Sequence, residues 1–545
     1  MEKQRKNKQD IKNTIKTNKA ITLIALVVTI VVLLILAGVS ISMLGGENGI
    51  IKQAIDAKDK TKEANAKEQI GVEVVGSYGT DGKINIPLLN ENLGHIDGLT
   101  HNGQPLTDNQ ITSLPATVEL DGIKVVINGD GSTSAPVTLA GLKESEKPVS
   151  GNTTLTDDNG DSITIPDGFN VSTDSPTNVV EGIVIEDRID NQYVWIPVFE
   201  KSASRDWGVD YSSVTTAKTA KNSEFTATDY TNIESALKTY TVTYADSGFS
   251  DEWFGDENYG EYGYYDGTKF VYYTNGNMTE TDYNTLYHNM LVSVYKNGGF
   301  YIGRYEMGTG VATDTATAQT LTRTAMTEYT ASSDTNTSTT VRTDAAPSIE
   351  GMPTPVSKAD AVGYTYITQS QAQMLATKIG QENGYGTTTS SLMFGVQWNA
   401  VCVFIEKYDT NNTATTKSDW LKNKDYSKLW GNYNNSTFTM DRGYYNIETS
   451  SSPYILPENW NANTSKTSSG SWLCTTGASE QNSSLNIYDF GGNLYEFTLE
   501  RSSNSYNACT SRGGYFNGKS YASFRDRINT YYSFYIHSAR PSLFL

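Results

Sequence analysis

The sequence predicts an α+β protein with an N-terminal helix that spans a membrane, a small β-hairpin headpiece, and a large domain of turns, strands and a few helices interrupted by loop insertions. Three observations predict it. Ala20 to Leu44 is an uncharged, almost wholly apolar run, long enough at about 1.5 Å per residue to cross the hydrocarbon core of a bilayer. Asp121-Gly122 stands between alternating apolar residues in Val118-Glu119-Leu120 and Ile123-Lys124-Val125-Val126-Ile127, a strong hairpin signal. Near the C-terminus, Gly492-Asn493 and Arg512-Gly513-Gly514 supply residues that tolerate positive φ. Each is followed by aromatic and aliphatic residues that suit a half-buried strand.

Residues 1–19 form a basic leader with seven Lys or Arg against Glu2 and Asp10. This local +5 precedes the apolar run, no basic cluster follows it closely, and the N-terminus is therefore expected on the cytoplasmic side with the body outside. The whole chain carries −19, so the remainder carries −24, which repels phosphates and excludes nucleic acid as a partner. At 545 residues there is room for two to four domains. Abundant Tyr, Asn, Ser, Thr and Gly with few charges suit a β-rich extracellular protein.

The junction Lys19-Ala20-Ile21-Thr22-Leu23-Ile24-Ala25-Leu26 resembles a type IV prepilin, in which a basic leader ends in glycine before Phe-Thr-Leu-Ile-Glu. That likeness implies processing between Ala20 and Ile21 and other pilin-like subunits as partners. Ala20 stands where the family has glycine, and Ala25 where it has the glutamate that aids subunit registration. A helix is expected from Ile50 to about Val75 after a hinge at Gly45-Gly46, from Ile51, Ile55 and Ile70 among Lys, Glu and Ala. Residues 45–140 together make the pilin-like headpiece. A polar linker follows over residues 141–152. A hairpin turning at Asp158-Asn159-Gly160 opens the large domain, 153–545.

Within that domain, residues 200–290 read as an insertion rich in tyrosine and acid. Asp251, Glu252, Asp256, Glu257, Glu261 and Asp266 supply oxygens of the kind calcium takes, but their spacing matches no EF-hand loop, and a solvated acidic loop is favoured over a cofactor site. Residues 309–344, dominated by Thr, Ala and Ser, read as a mobile surface loop. Helices are expected from about Ser370 to Ile379 and from about Val396 to Tyr408, where Trp398, Val401, Cys402 and Ile405 share a face. Residues 460–484 read as loops anchored by Trp472. Cys402, Cys474 and Cys509 have no CxxC spacing and the histidines at 95, 101, 288 and 537 lie far apart, so no zinc site is expected. Cys402 lies in an apolar run and reads as a small buried hydrophobe.

Gly492-Asn493-Leu494-Tyr495-Glu496-Phe497, Arg512-Gly513-Gly514-Tyr515 and Ser538-Ala539-Arg540 resemble, in order and spacing, the Gly-Asn-Val-Trp-Glu-Trp, Arg-Gly-Gly-Ser and Gly-Phe-Arg motifs of the formylglycine-generating enzyme family. Asn191 to Pro197 and Gly298 to Glu306 look like that family's first strands. The resemblance covers roughly residues 150–545 and implies a C-type-lectin-like fold. The family's chemistry uses copper held by two cysteines a few residues after Arg-Gly-Gly, and the corresponding Phe516 to Phe524 contains none.

No nucleophile-base pattern of a hydrolase is present. Glu306, Glu496 and Glu500 leave paired-carboxylate glycoside chemistry open, although Glu496 and Arg512 are expected to form a structural pair that ties the two motif turns together. What remains is binding. Asn504, Tyr506, Asn507, Tyr515, Asn517, Tyr521, Arg525, Tyr531, Tyr532 and Tyr535 have the composition of a recognition surface, and also that of a β-rich surface merely finished with tyrosine. The segment resembles the variable region of diversity-generating retroelement target proteins. An extracellular protein or carbohydrate is the implied ligand.

Overall fold

The computed structural model describes residues 50–198, 225–254, 263–265, 270–272, 278–330, 348–448, 457–504, 507–530 and 533–545. The apolar run 20–44, the Gly45-Gly46 hinge and the Ala20-Ile21 junction lie outside the described residues. Among the described residues no helix is long and apolar enough to cross a membrane. The fold is a mixture of helices and mostly antiparallel sheets, and the chain divides into two compact units, residues 1–137 and 138–545.

In the first unit the expected helix forms over Ile50–Val75. Ala66, Ile70 and Val74 fall on one face at helical spacing and bury against Val118, Leu120, Val125 and Ile127. The Asp-Gly hairpin joins Ala116–Leu120 to Ile123–Ile127 with Leu120 opposite Ile123. Asp121 and Gly122 both take positive φ, 52° and 80°, the geometry whose twist matches the flanking strands. A short helix, Ile86–Leu93, begins where Asn85 accepts the Leu88 N–H.

The second unit opens with the hairpin Thr153–Thr156 and Ser162–Ile165, turning at Gly160 with φ 87°. Two larger sheets follow. The first runs, in spatial order, Thr389–Leu392, Pro541–Phe544, Gly299–Gly303, Gln192–Pro197, Val184–Glu186 and Asn170–Val171. The second runs Phe249–Ser250, Tyr495–Ser502, Cys509–Arg512 and Arg525–Ile528, with His537–Ala539 added in parallel beside Tyr495–Phe497. The chain therefore passes from one sheet to the other through Arg540. Helix Gly395–Tyr408 is buried from Gly395 through Ile405, so Trp398, Val401, Cys402 and Ile405 are core as expected. Helix Gln369–Asn383 also matches its expectation, and starts with a capping box between Thr368 and Gln371.

Four expectations are corrected. The linker at 141–152 contains most of helix Leu139–Ser145, and Val149 exchanges backbone hydrogen bonds with the 168–169 turn. Residues 200–290 are not only an insertion: helix Glu280–Asn297 buries Tyr283, Tyr287, Met290, Leu291 and Val294, and Phe249–Ser250 extends the second sheet. There the tyrosine content obscured an apolar stripe at helical spacing. The Thr-rich 309–344 contains helix Thr315–Thr330, where burial of Ala318 and the bond from Trp460 Nε1 to Thr322 Oγ1, 2.8 Å, override weak intrinsic propensity. Residues 460–484 contain strands Trp460–Ala462, Ser465–Lys466 and Ser471–Cys474. Trp460 is buried, whereas Trp472 is half-buried and stacks on Tyr445 at 4.2 Å.

Candidate binding cleft

Strand Tyr495–Ser502 carries two buried carboxylates, Glu496 and Glu500. Glu496 lies opposite Arg512 in the strand register, yet the two are not partners. Arg540 takes Glu496 with two bonds, Nε to Oε2 at 3.0 Å and Nη2 to Oε1 at 2.7 Å. Its remaining donors go to the Gly303 and Tyr488 carbonyls. The register slips between Thr498 and Arg501, and Glu500 sits in that slip, turned toward Arg512 Nη1 at 3.0 Å. The expected Glu496–Arg512 pair is thus replaced by two pairs, because one irregularity in the ladder and one C-terminal arginine redistribute the partners.

Around Glu496 the charges are sealed in. Glu306 accepts from Asn493 Nδ2 at 2.7 Å and Leu494 N at 3.0 Å, and Asp489 accepts from Gly477 N at 2.7 Å. Burial, reinforced by the Asp489 and Glu496 carboxylates, holds the Glu306 carboxyl well above the usual range. Burial likewise pushes Asp489 up to about 6. The Gly492-Asn493 turn takes φ 85° and 54°, and a Cβ on Gly492 would lie 2.2 Å from the Asn432 carbonyl oxygen, so both the backbone conformation and the close approach require glycine there. Gly513 and Gly514 also take positive φ.

Glu500 belongs to a second network. It receives Arg512 and, through both oxygens at 3.0 and 3.1 Å, Arg525 Nε. Asn399 Oδ1 accepts from both arginines at 3.0 Å, and Trp398 lies under the Arg512 guanidinium at 5.3 Å. The Glu500 carboxylate also packs against the start of helix Gly395–Tyr408, where a Cβ on Gly395 would come within 2.5 Å of it. Asp251 completes the helix start, accepting the Gly395 and Val396 N–H groups at 2.6 and 2.8 Å. Burial, then the Glu500 charge, pushes Asp251 up to about 7. The expected solvated acidic loop is corrected at this residue: Asp251 is a half-buried helix cap, and Glu252 pairs with Arg501 at 2.7 Å. Asp256, Glu257, Glu261 and Asp266 lie outside the described residues. Among the described residues no cluster of His, Cys, Asp or Glu is arranged to hold a metal ion.

Arg525 connects this second network to the surface. It borders a cleft of about 530 Å³ lined by Asp246, Phe249, Asn504, Asn507, Tyr521, Ser523, Phe524, Arg525, Asp526 and Arg527. Phe249 offers its ring to both guanidinium groups, with Arg525 at 5.4 Å and Arg527 at 4.7 Å from the centroid. Arg527 Nε is fixed by Ser502 Oγ at 3.0 Å, and Tyr521 meets Phe524 edge-on at 5.4 Å. Burial raises the Asp526 carboxyl. Flat aromatic surface beside amides, carboxylates and guanidinium groups is the chemistry that grips a polar ligand with ring or amide faces.

Of the ten expected contact residues, Asn504, Asn507, Tyr521 and Arg525 share this cleft. Tyr515 and Asn517 lie away from it. Tyr515 stacks on Tyr495 at 4.9 Å, and Asn517 accepts the Ser471 hydroxyl at 2.7 Å. Tyr535 is corrected to core, 5% exposed in a cluster with Trp460, Leu494 and Phe516. Tyr506, Tyr531 and Tyr532 lie outside the described residues. Sequence reasoning missed Asp246, Phe249, Ser523, Phe524, Asp526 and Arg527. Asp246-x-Gly248 before Phe249 is a turn signal that was available, since Asp246 Oδ1 accepts the Gly248 N–H at 2.8 Å. All three thiols are buried, and burial pushes Cys402 up to about 12, which suppresses thiolate chemistry. Of the three carboxylates left open for paired chemistry, Glu496 is held by Arg540, Glu500 by Arg512 and Arg525, and Glu306 by the Asn493 amide and the Leu494 N–H. No protein-family model and no curated protein matches the chain.

Proposed function

We propose that this chain is a cell-surface protein held in the membrane by residues 20–44, in the manner of a pilin-like subunit, with its N-terminus cytoplasmic. It displays a non-catalytic, C-type-lectin-like binding domain outside the cell. The observation that carries the reading is the cleft in which Asn504, Asn507, Tyr521 and Arg525 meet Phe249 and Arg527. The carboxylates that hydrolysis would need are held by arginine or by backbone and amide N–H groups, which favours binding over catalysis. A carbohydrate or a polar protein loop is the fitting ligand, and diversification of the C-terminal segment would exchange rim side chains without touching the ion networks.

The test is binding of the full chain to glycan and surface-protein arrays, followed by the pair Tyr521→Ser and Arg527→Ala in one variant. Loss of binding at an unchanged melting temperature is expected. Unchanged binding would remove the cleft from consideration. Protease added to intact cells should degrade the large domain; survival until lysis would overturn the topology. An imperfect copy of the 3′ coding segment beside a reverse transcriptase gene would establish diversification, and its absence leaves generic binding.

A further inference from the structure

Lys466 is buried at 1% exposure, and among the described residues no carboxylate lies in salt-bridge reach of it. A lone ammonium there is costly, and long cationic side chains are almost never fully buried without such a partner. Its Nζ donates to the Tyr433 carbonyl at 2.6 Å and lies 3.4 Å from Asn432 Oδ1. The ring of Phe438 lies 5.5 Å away. The Asn432 amide is fixed from its other side, since Nδ2 donates to the Trp472 carbonyl at 2.8 Å and to Asn493 Oδ1 at 3.1 Å. An amine and an amide carbonyl are thus held in contact in a water-poor setting, the arrangement in which a bimolecular step becomes effectively unimolecular.

The geometry points to an intramolecular isopeptide bond between Lys466 and Asn432 as a modification built into this domain. Neutral Lys466 Nζ attacks Asn432 Cγ, one bond from the oxygen it touches. The new Nζ–Cγ bond forms as the Cγ–Nδ2 bond breaks, and one proton passes from Nζ to the departing nitrogen, which leaves as ammonia. No oxidant or reductant is required. Burial supports the step by lowering the Lys466 ammonium to about 8, so that a usable fraction is the free amine at neutral pH. The product removes the buried charge. It also ties strand Ser465–Lys466 to the 430–434 turn, closing the loop between them against unfolding and proteolysis.

The experiment is mass spectrometry of the full chain purified from cells, denatured and digested with trypsin and a second protease. The expected result is a branched peptide containing Lys466 and Asn432, short by one ammonia, with no tryptic cleavage after Lys466. Folded protein incubated at mildly alkaline pH should accumulate the branch, and protein held in urea should not. The variants Lys466→Arg and Asn432→Ala should each lack the branched peptide. Linear peptides alone, cleaved after Lys466 with Asn432 intact after incubation, overturn the proposal. Conversion of Asn432 to aspartate would also overturn it, because water rather than the amine would then be the nucleophile.

Discussion

Two ion networks hang from the same strand, Glu496 with Arg540 and Glu500 with Arg512 and Arg525, and they end differently. The first is closed: Arg540 is 1% exposed, and its donors are shared between one carboxylate and two backbone carbonyls. It sits at the passage of the chain from one sheet to the other. The second has an outer cation, since Arg525 joins Glu500 on one side and the Phe249 ring and the cleft on the other. A sealed charge fixes the fold, whereas a charge with one partner at the rim couples the fold to whatever the rim touches.

That contrast breaks first at Arg540. Arg540→Ala strands Glu496 beside Glu306 and Asp489 and should cost about 4 kcal/mol, read by urea unfolding; a loss under about 1 kcal/mol would mean that the cluster simply takes up protons and the arginine is dispensable. Arg512→Ala should cost less, about 3 kcal/mol, because Arg525 still reaches Glu500. If it costs more than Arg540→Ala, the second network rather than the first is the fold's anchor.

Acidity sharpens the comparison further. Asp489 and Asp251 keep their protons in the folded chain, up to about 6 and about 7, where the unfolded chain has lost them above about 4. The folded state then binds more protons, and stability falls as pH rises, by at most about 1.4 kcal/mol per pH unit for each group. The Asp489 contribution ends near about 6 and that of Asp251 near about 7. His537, held down to about 3 by burial, acts oppositely, adding stability as pH rises from about 3 to about 6.5. Unfolding measured across this range should show Asp251→Asn gaining on the parent up to about pH 7, and Asp489→Asn only up to about pH 6. Superimposable profiles would erase the distinction between the networks.

The smallest expected effect lies at the rim. Tyr521→Ser should change stability by no more than about 0.5 kcal/mol while weakening ligand binding by about 2 kcal/mol or more if the tyrosine is an anchor. Cooperative unfolding lost in this variant would place Tyr521 with Tyr535 in the core.

Local signals in the chain suffice for the short-ranged elements: the Asp121-Gly122 hairpin, the 50–75 helix, the helix expected from about Ser370 to Ile379, the buried face of helix Gly395–Tyr408 and the positive-φ turns at Gly492-Asn493 and Gly513-Gly514. Composition alone also placed four residues of the cleft. Long-range packing settles the rest, because partner choice among buried charges depends on contacts between residues far apart in the chain. Which arginine takes Glu496 was settled by a slip in the 498–501 register and by the position of the last strands. Whether a Thr-rich or Tyr-rich segment becomes a helix was settled by what it packs against, as Thr322 under Trp460 and Tyr283 under Phe394 illustrate. Phe249 reached the cleft only because a two-residue strand from a distant segment pairs with Arg501-Ser502, a long-range match that no local periodicity encodes.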